Sequence, residues 1–176
     1  KYANAWIDKG IALSDLGKHE DAIKCYDQAL EINPKYVIGL CNKGLALSDL
    51  GKHEDAIKCY TQALEIDPKY ITAWNSKGIA LSDLGKHEDA IKCYDQALEI
   101  NPKHVEALKN KSSSLDKLGM HEQAIVCFRR IIEINPEDPS SLNSVAWYLA
   151  NNQEYAEALQ IVNKALDFGS DESIWH

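Results

Sequence analysis

Residues 9–35 read KGIALSDLGKHEDAIKCYDQALEINPK, and residues 77–103 repeat these letters without a change. Residues 43–69 carry the same stretch with three changes, so the three copies begin at the evenly spaced positions 9, 43 and 77. A sequence period of roughly 20–50 residues is typical of solenoids, in which each unit buries its apolar face only against its neighbours. The repeat therefore predicts an array of similar structural units, which continues less regularly to the end of the chain.

The composition is that of a folded protein and argues against a nucleic-acid partner. Of the 176 residues, 45% are hydrophobic and 26% are charged, and the formal net charge is −8. Binding to phosphate backbones needs clustered Lys and Arg, which an acidic surface does not favour. No apolar run approaches the roughly 18 residues of a membrane span, and no signal-peptide pattern is found at the start. We expect a cytoplasmic protein with neither nucleic acid nor membrane as a partner.

Each repeat predicts a pair of antiparallel helices. In the first unit, apolar residues recur at helical spacing on both sides of Gly17. Gly17 suits the left-handed residue past a helix end, and Pro34 ends the second helix because proline cannot continue it. Gly10 lies within the first helix, where glycine costs about 1 kcal/mol relative to alanine. We expect the partner helix to cross close to the backbone at Gly10.

These residues resemble the tetratricopeptide repeat. The 34-residue period of that family and its pattern W-x2-L-G-x2-Y, then A-x3-F and P, are similar to Trp6, Gly10, Ala22, Tyr26 and Pro34. The resemblance implies an all-α fold, a right-handed α-solenoid of antiparallel helix pairs with about five units. We place the units at residues 3–36, 37–70, 71–104, 105–138 and 139–170, with residues 171–176 starting a further or capping helix.

One position departs from the family pattern. The leucine before the glycine is a lysine in four units, at Lys9, Lys43, Lys77 and Lys111. We expect each lysine stem to lie over apolar surface while its ammonium group reaches solvent or a neighbouring acid.

The start of the chain indicates a fragment of a longer array. Lys1 and Tyr2 match the last two letters of a repeat, and no initiator methionine precedes them. We therefore expect another unit before them in the parent protein. The N-terminal repeat face would then be exposed in this chain and would favour end-to-end self-association.

Cysteines and histidines each recur at one position of the repeat, which raises the possibility of disulfides or a metal site. Neighbouring helices lie about 8–10 Å apart, farther than the roughly 7 Å between Cα atoms that a disulfide allows. Ligands of one zinc ion lie about 2 Å from it, so histidines of adjacent units are too distant to share a metal. We interpret the cysteines as small buried side chains and the histidines as rings packed over the turn, and we expect no cofactor. The two series are Cys25, Cys59, Cys93 and Cys127, and His19, His53, His87 and His121.

In the tetratricopeptide repeat family, the first helices line a concave groove that binds extended peptides or helices. The resemblance implies groove positions at the second, fifth, sixth, ninth, twelfth and thirteenth residues of each unit, which include Ile7 and Cys41. Apolar anchors beside amides suit an extended peptide, and the acids favour a basic or neutral partner. The groove candidates are Ile11, Asp15, Asn42, Leu45, Asp49, Asn75, Ile79, Asp83, Asn110 and Trp147.

We predict a protein–protein interaction scaffold and no catalytic activity. No nucleophile–base pair, phosphate-binding loop or metal-binding helix motif is found in the sequence. Two alternatives remain open. The chain is either a structural spacer that stacks repeats between chains, or the targeting arm of an enzyme whose catalytic domain lies outside it.

Overall fold

The computed structural model of the chain describes residues 2–169, and every regular element within them is an α-helix. The predicted all-α fold of helix pairs is confirmed, because each odd-numbered helix packs against the helix that follows it. The further helix predicted at residues 171–176 lies outside the described residues. The helices are α1 (Ala3–Asp15), α2 (His19–Ile32), α3 (Val37–Asp49), α4 (His53–Ile66), α5 (Ile71–Asp83), α6 (His87–Ile100), α7 (Val105–Lys117), α8 (His121–Ile134), α9 (Pro139–Asn151) and α10 (Tyr155–Gly169).

The turn inside each pair repeats one backbone conformation. Gly17 has a φ of 73°, and its N–H donates to the carbonyl oxygen of Ser14 at 2.8 Å. Glycine adopts this left-handed conformation at no steric cost, which is why it recurs at this position. In the last pair Gln153 takes the same place with a φ of 66°, so the turn is kept without its glycine.

The chain divides into two compact units, Lys1–Pro102 and Lys103–His176, which are described separately. In the first unit α3 contacts both α1 and α2, and α5 contacts both α3 and α4. The first helices α1, α3 and α5 therefore lie side by side, and α3 and α5 each pack on the second helix of the preceding pair. This arrangement is what makes one continuous surface from three repeats.

The glycine within each first helix of this unit faces an aromatic ring. A Cβ built on Gly44 would lie 2.6 Å from Cε1 of Tyr60, whose side chain is 1% exposed. Gly10 faces the ring of Tyr26 in the same way. The partner helix does approach Gly10 closely, and the atoms that reach the glycine are those of the Tyr26 ring. The missing side chain makes room for a large buried ring.

Of the lysines that replace the family leucine, Lys43 reaches a neighbouring acid as expected, whereas Lys77 places its ammonium over a tryptophan ring. Nζ of Lys43 lies 2.6 Å from Oδ1 of Asp27, on the preceding pair. Burial alone disfavours the ammonium, but the hydrogen bond and charge of Asp27 outweigh it and raise the pKa of Lys43. Nζ of Lys77 lies 5.7 Å from the ring centroid of Trp74, within the range of a cation–π contact.

The second unit contains α7 to α10 and replaces the glycine–tyrosine contact with other residues. Ser112 stands at the glycine position, is buried, and donates its hydroxyl to the carbonyl oxygen of Lys109 at 2.7 Å. Phe128 stands at the tyrosine position and packs on Tyr148 with ring centroids 4.4 Å apart. The leucines and isoleucines of this core that are less than 2% exposed include Leu108, Leu115, Ile131, Leu142 and Leu149.

A bidentate ion pair joins α8 to α10 in the second unit. Arg129 donates to the two carboxylate oxygens of Glu157 at 3.0 and 2.7 Å. The hydrogen bond from Arg129 holds the pKa of Glu157 below its usual range.

All five cysteines are buried, which confirms their interpretation as small apolar side chains. None of the described helices is long and apolar enough to cross a membrane.

The first prediction concerns Gly44. Gly44→Ala should lower the free energy of unfolding by up to about 2 kcal/mol, since overpacking costs about 1–3 kcal/mol and the gain in helix propensity returns about 1 kcal/mol. Urea unfolding followed by circular dichroism measures the difference. The matched control is the same change in a Tyr60→Leu chain, where the ring is gone and the cost should shrink. A stabilised Gly44→Ala chain would contradict the ring contact.

The second prediction concerns the pH dependence of Glu157. A carboxylate with a lowered folded-state pKa stabilises the fold above its unfolded pKa, and this contribution is lost as the pH falls through the folded value. Glu157→Gln should therefore lower the free energy of unfolding by up to about 1 kcal/mol at neutral pH, as expected for an exposed pair. At pH values below about 4.3 this loss should become smaller. Urea midpoints at several pH values test this, with Glu133→Gln as the control. A cost that does not change with pH would argue against the ion pair.

Candidate functional site

The first helices of the first unit present a row of exposed apolar side chains. Ile11, Leu45 and Ile79 occupy equivalent positions on α1, α3 and α5, and all three are exposed. Their helices are neighbours, so the three side chains stand on one face of the unit. Isolated apolar residues on a surface are ordinary, but a row at one repeat position forms an extended apolar surface.

An acidic row runs beside the apolar one. Asp15, Asp49 and Asp83 follow the apolar residues by four positions, which places them one turn further on the same helix face. Nδ1 of His19 lies 3.5 Å from Oδ2 of Asp49, and Nδ1 of His53 lies 3.6 Å from Oδ2 of Asp83. Each histidine belongs to the preceding pair, so these two carboxylates are held beside an imidazole and still remain 42% and 48% exposed.

The histidines were expected to pack over the turn, and this accounts for only part of their contacts. Nδ1 of His19 lies 3.3 Å from the hydroxyl of Ser14, across the turn of its own pair. The contact of His19 with Asp49 was missed because sequence reasoning treated each repeat alone. The available signal was the constant sequence spacing between histidine and aspartate, which is the same from His19 to Asp49 as from His53 to Asp83. The buried Nδ1 of His53 makes no hydrogen bond within the described residues.

The amide candidates of the first unit are partly shielded. Asn42 and Asn75 are half-buried on α3 and α5, beside the apolar row. At the second position of the first repeat, the Oδ1 of Asn4 accepts a hydrogen bond from the Tyr36 hydroxyl at 2.9 Å. This face thus offers amide groups close to apolar side chains, as a peptide backbone and its side chains require.

Two of the implied groove positions are not in the groove. Ile7 and Cys41 are buried, 3% and 6% exposed. A Cβ built on Gly39 would lie 3.1 Å from Cδ1 of Ile7, which shows that Ile7 packs under the neighbouring helix α3. Burial raises the pKa of the Cys41 thiol to about 12. Ile7 therefore fills the contact between first helices. The prediction of the fifth position as ligand-facing is wrong at Ile7 and Cys41, whereas Asn75 at the same position is only half-buried.

The second unit contains an open hollow of about 590 Å³ in which the groove candidate Trp147 stands at the rim, 70% exposed. The carboxylate of Asp116 is part of its lining. Oδ1 of Asp116 accepts a hydrogen bond from the Tyr148 hydroxyl at 2.9 Å and lies 2.8 Å from Nδ1 of His121. Burial, followed by the contact with Asp116, raises the pKa of Tyr148. The hollow is lined by Asp116, His121, Glu122, Ile125, Trp147, Tyr148 and residues 151–154.

The hollow combines negative charge with an aromatic face. Glu122 and Glu154 add two exposed carboxylates to that of Asp116. An indole face and carboxylates both attract cations, so the hollow suits a basic group. The other candidate in this unit, Asn110, is half-buried on α7. Sequence reasoning gave no signal for Tyr148, because its hydroxyl partner Asp116 belongs to the preceding pair.

Among the side chains that the structure describes, no three of His, Cys, Asp and Glu converge in an arrangement that could hold a metal ion.

Sequence profiles of known families match nearly the whole chain. A tetratricopeptide repeat profile matches residues 3–36, 37–70 and 71–104, and a second profile of the same family matches residues 93–126 and 127–160. The chain belongs to the tetratricopeptide repeat family. A search of curated proteins by sequence finds no match.

Several solved structures have a similar fold. MamA is 22% identical, with a TM-score of 0.80 over 99% of this chain and 95% of MamA. PilF of Pseudomonas aeruginosa is 22% identical, with a TM-score of 0.81 over 96% of this chain and 77% of PilF. YrrB, described as a tetratricopeptide repeat protein with an unusual peptide-binding site, is 22% identical, with a TM-score of 0.69 over 95% of this chain and 86% of YrrB. At these identities the likeness concerns the fold.

The third prediction separates the exposed row from the core in one helix. Leu45 is 52% exposed and Leu47, two residues later, is 7% exposed. Leu45→Glu should change the free energy of unfolding by less than about 0.5 kcal/mol, as is usual for surface substitutions. Leu47→Glu buries an unpaired charge and should cost about 3–5 kcal/mol. Urea unfolding of the two variants measures the contrast, and equal losses of stability would show that Leu45 is not on the surface.

Proposed function

We propose that the first unit binds an extended peptide or a helix of a partner protein on the face formed by α1, α3 and α5. The observation that supports this proposal is the row of Ile11, Leu45 and Ile79, exposed at one repeat position on three neighbouring helices. Such a row can receive apolar side chains of a ligand at regular spacing. The tetratricopeptide repeat family, to which the chain belongs, consists generally of non-catalytic protein-binding scaffolds.

The acids beside the row favour a partner that is basic or neutral. Asp15, Asp49 and Asp83 line the apolar row on one side, and each is exposed. A like charge placed against them would be repelled, whereas a lysine or arginine beside an apolar anchor would gain Coulomb energy, about 1 kcal/mol or less for each exposed pair. The carboxylates thus select among ligands more than they add affinity.

The second unit offers a separate binding site that also favours a basic group. The hollow beside Trp147 presents the carboxylates of Asp116, Glu122 and Glu154. We propose that it receives a single lysine or arginine side chain, with the indole against the cation and the carboxylates around it. Asn110 is proposed as a backbone-binding amide in that unit. In the similar fold of YrrB a peptide-binding site is also described.

The fourth prediction tests this function with a defined probe. A display library of random short peptides is selected on the immobilised chain. Enriched peptides should carry apolar residues together with Lys or Arg. The Leu45→Glu, Ile79→Glu double variant should lower their affinity by at least tenfold, a change of about 1.4 kcal/mol. Asp49→Asn with Asp83→Asn should lower it less and reduce its dependence on salt.

The matched control adds the same two charges elsewhere on the first unit. Ile32→Glu with Ile66→Glu changes two exposed isoleucines at the ends of α2 and α4, which do not belong to the apolar row. Affinity that survives the groove variant, or that falls equally in the control, would contradict binding on this face. A selection that enriches no peptide would favour the spacer function.

A further inference from the structure

The outer face of α1 differs from the same face of α3 and α5. In α3 and α5 a leucine that faces the preceding pair, Leu47 or Leu81, is 7% or 8% exposed. The equivalent residue of α1, Leu13, is only half-buried. Together with Trp6 it lines an open hollow of about 530 Å³. In residues 2–169, α1 thus carries a repeat-packing face on which no preceding pair is seated.

The contact between α4 and α5 shows what such a face packs against. Trp74 of α5 packs on a buried cluster that contains Leu64 of α4. Ile57 of α4 and Tyr70, the residue before α5, pack against the same cluster. Ala73 of α5 lies in the same cluster and is 0% exposed. Leu64 is 7% exposed as a result. The junction is apolar, with the cation of Lys77 folded over Trp74 at its edge.

The face of α1 repeats the α5 half of this junction. Tyr2, Ala5, Trp6 and Lys9 stand at the places of Tyr70, Ala73, Trp74 and Lys77. The side-chain arrangement is also repeated, because Nζ of Lys9 lies 5.2 Å from the ring centroid of Trp6. Unlike buried Ala73, Ala5 is exposed.

The other half of the junction is found on α10. Leu159 and Leu166 stand at the places of Ile57 and Leu64 of α4. They are 62% and 64% exposed, against 7% for Leu64. Asn163 stands at the place of Thr61, the α4 residue equivalent to Asp27. Thr61 and Asn163 are both neutral and polar. The α10 face therefore matches the α4 half of the α4–α5 junction, where Lys77 has no acid opposite it and lies over Trp74.

We propose that the α1 face of one copy of this chain docks on the α10 face of a second copy, in the manner of α5 on α4. A second copy is the occupant because the chain itself carries both halves of a junction that it already forms internally. The apolar side chains of both halves leave water on docking, which provides the driving force. The contact joins two different faces, so it is heterologous and leaves one face of each kind free for further copies unless a ring closes.

Sedimentation velocity of the full chain, from micromolar to millimolar concentration, is the test. We expect the average mass to rise with concentration and to pass the mass of a dimer. Ala5→Glu places a charge where Ala73 has no space in the internal junction, and Leu166→Glu places one on the opposite face. Both residues are exposed, so both variants keep the fold, and each alone should weaken association at least tenfold.

Mixing the two variants gives the decisive result. The Ala5→Glu chain keeps an intact α10 face and the Leu166→Glu chain keeps an intact α1 face. Their equimolar mixture should therefore form a complex of two chains and nothing larger. Leu45→Glu, an exposed position in the apolar row of α3 and at neither docking face, is the control and should associate like the unchanged chain.

Three outcomes would overturn the proposal. The first is a full chain that stays monomeric at every concentration. The second is a single variant that still associates, as it would through a symmetric contact or through the groove. The third is a chain ending at Gly169 that associates although the full chain does not. Residues 170–176 would then be the occupant of the α10 face in place of a second copy. The Leu45→Glu and Ile79→Glu changes alter neither the α1 face nor the α10 face. Self-association is therefore tested independently of peptide binding.

Discussion

The contact on which the first unit depends is the tyrosine ring seated against a glycine in each helix pair. Tyr60 is the largest kind of side chain that this unit buries completely, and it is buried only because Gly44 has no Cβ. Helix propensity alone would favour alanine at Gly44, so packing overrides local preference there. The ring sets the distance and register of the two helices, and from these follows the position of every residue on the exposed face.

The second unit has the same helix-pair fold, with other residues at the glycine and tyrosine positions. A serine replaces the glycine, and its hydroxyl is satisfied by a carbonyl within its own helix. A phenylalanine replaces the tyrosine and gains a neighbouring ring, that of Tyr148. The phenolic hydroxyl that Phe128 lacks is present on Tyr148 in the next pair. There it donates a hydrogen bond to Asp116 in the lining of the hollow. Core substitutions in this unit are thus coupled to the chemistry of its surface.

Much of the fold could be predicted from the sequence because its determinants are local. The period, the turn glycine and the proline after the second helix each act within a few residues, and Gly17 has the expected left-handed conformation. The predictions that were wrong concern contacts between elements. Ile7 and Cys41 lie on the predicted helix face but under a neighbouring helix, and a position within one repeat does not reveal that. The contacts of His19 and Tyr148 likewise join different repeats. The constant spacing between histidine and aspartate carries a signal for the first contact, and the sequence carries none for the second.

The lysine at the junctions has a consequence for the order of the repeats. Lys43 meets the carboxylate of Asp27, whereas Lys77 has the neutral Thr61 at the corresponding place and lies over Trp74 instead. In the second unit that place holds Arg129, and the residue after it in register is the apolar Val145, so no two cations face each other. The helix pairs are similar in sequence, but the side chains at their borders are complementary to those of the neighbouring pair. Moving the pair of α7 and α8 ahead of a pair that carries this lysine would bring Arg129 against a second cation, so the border residues favour the existing order of the pairs.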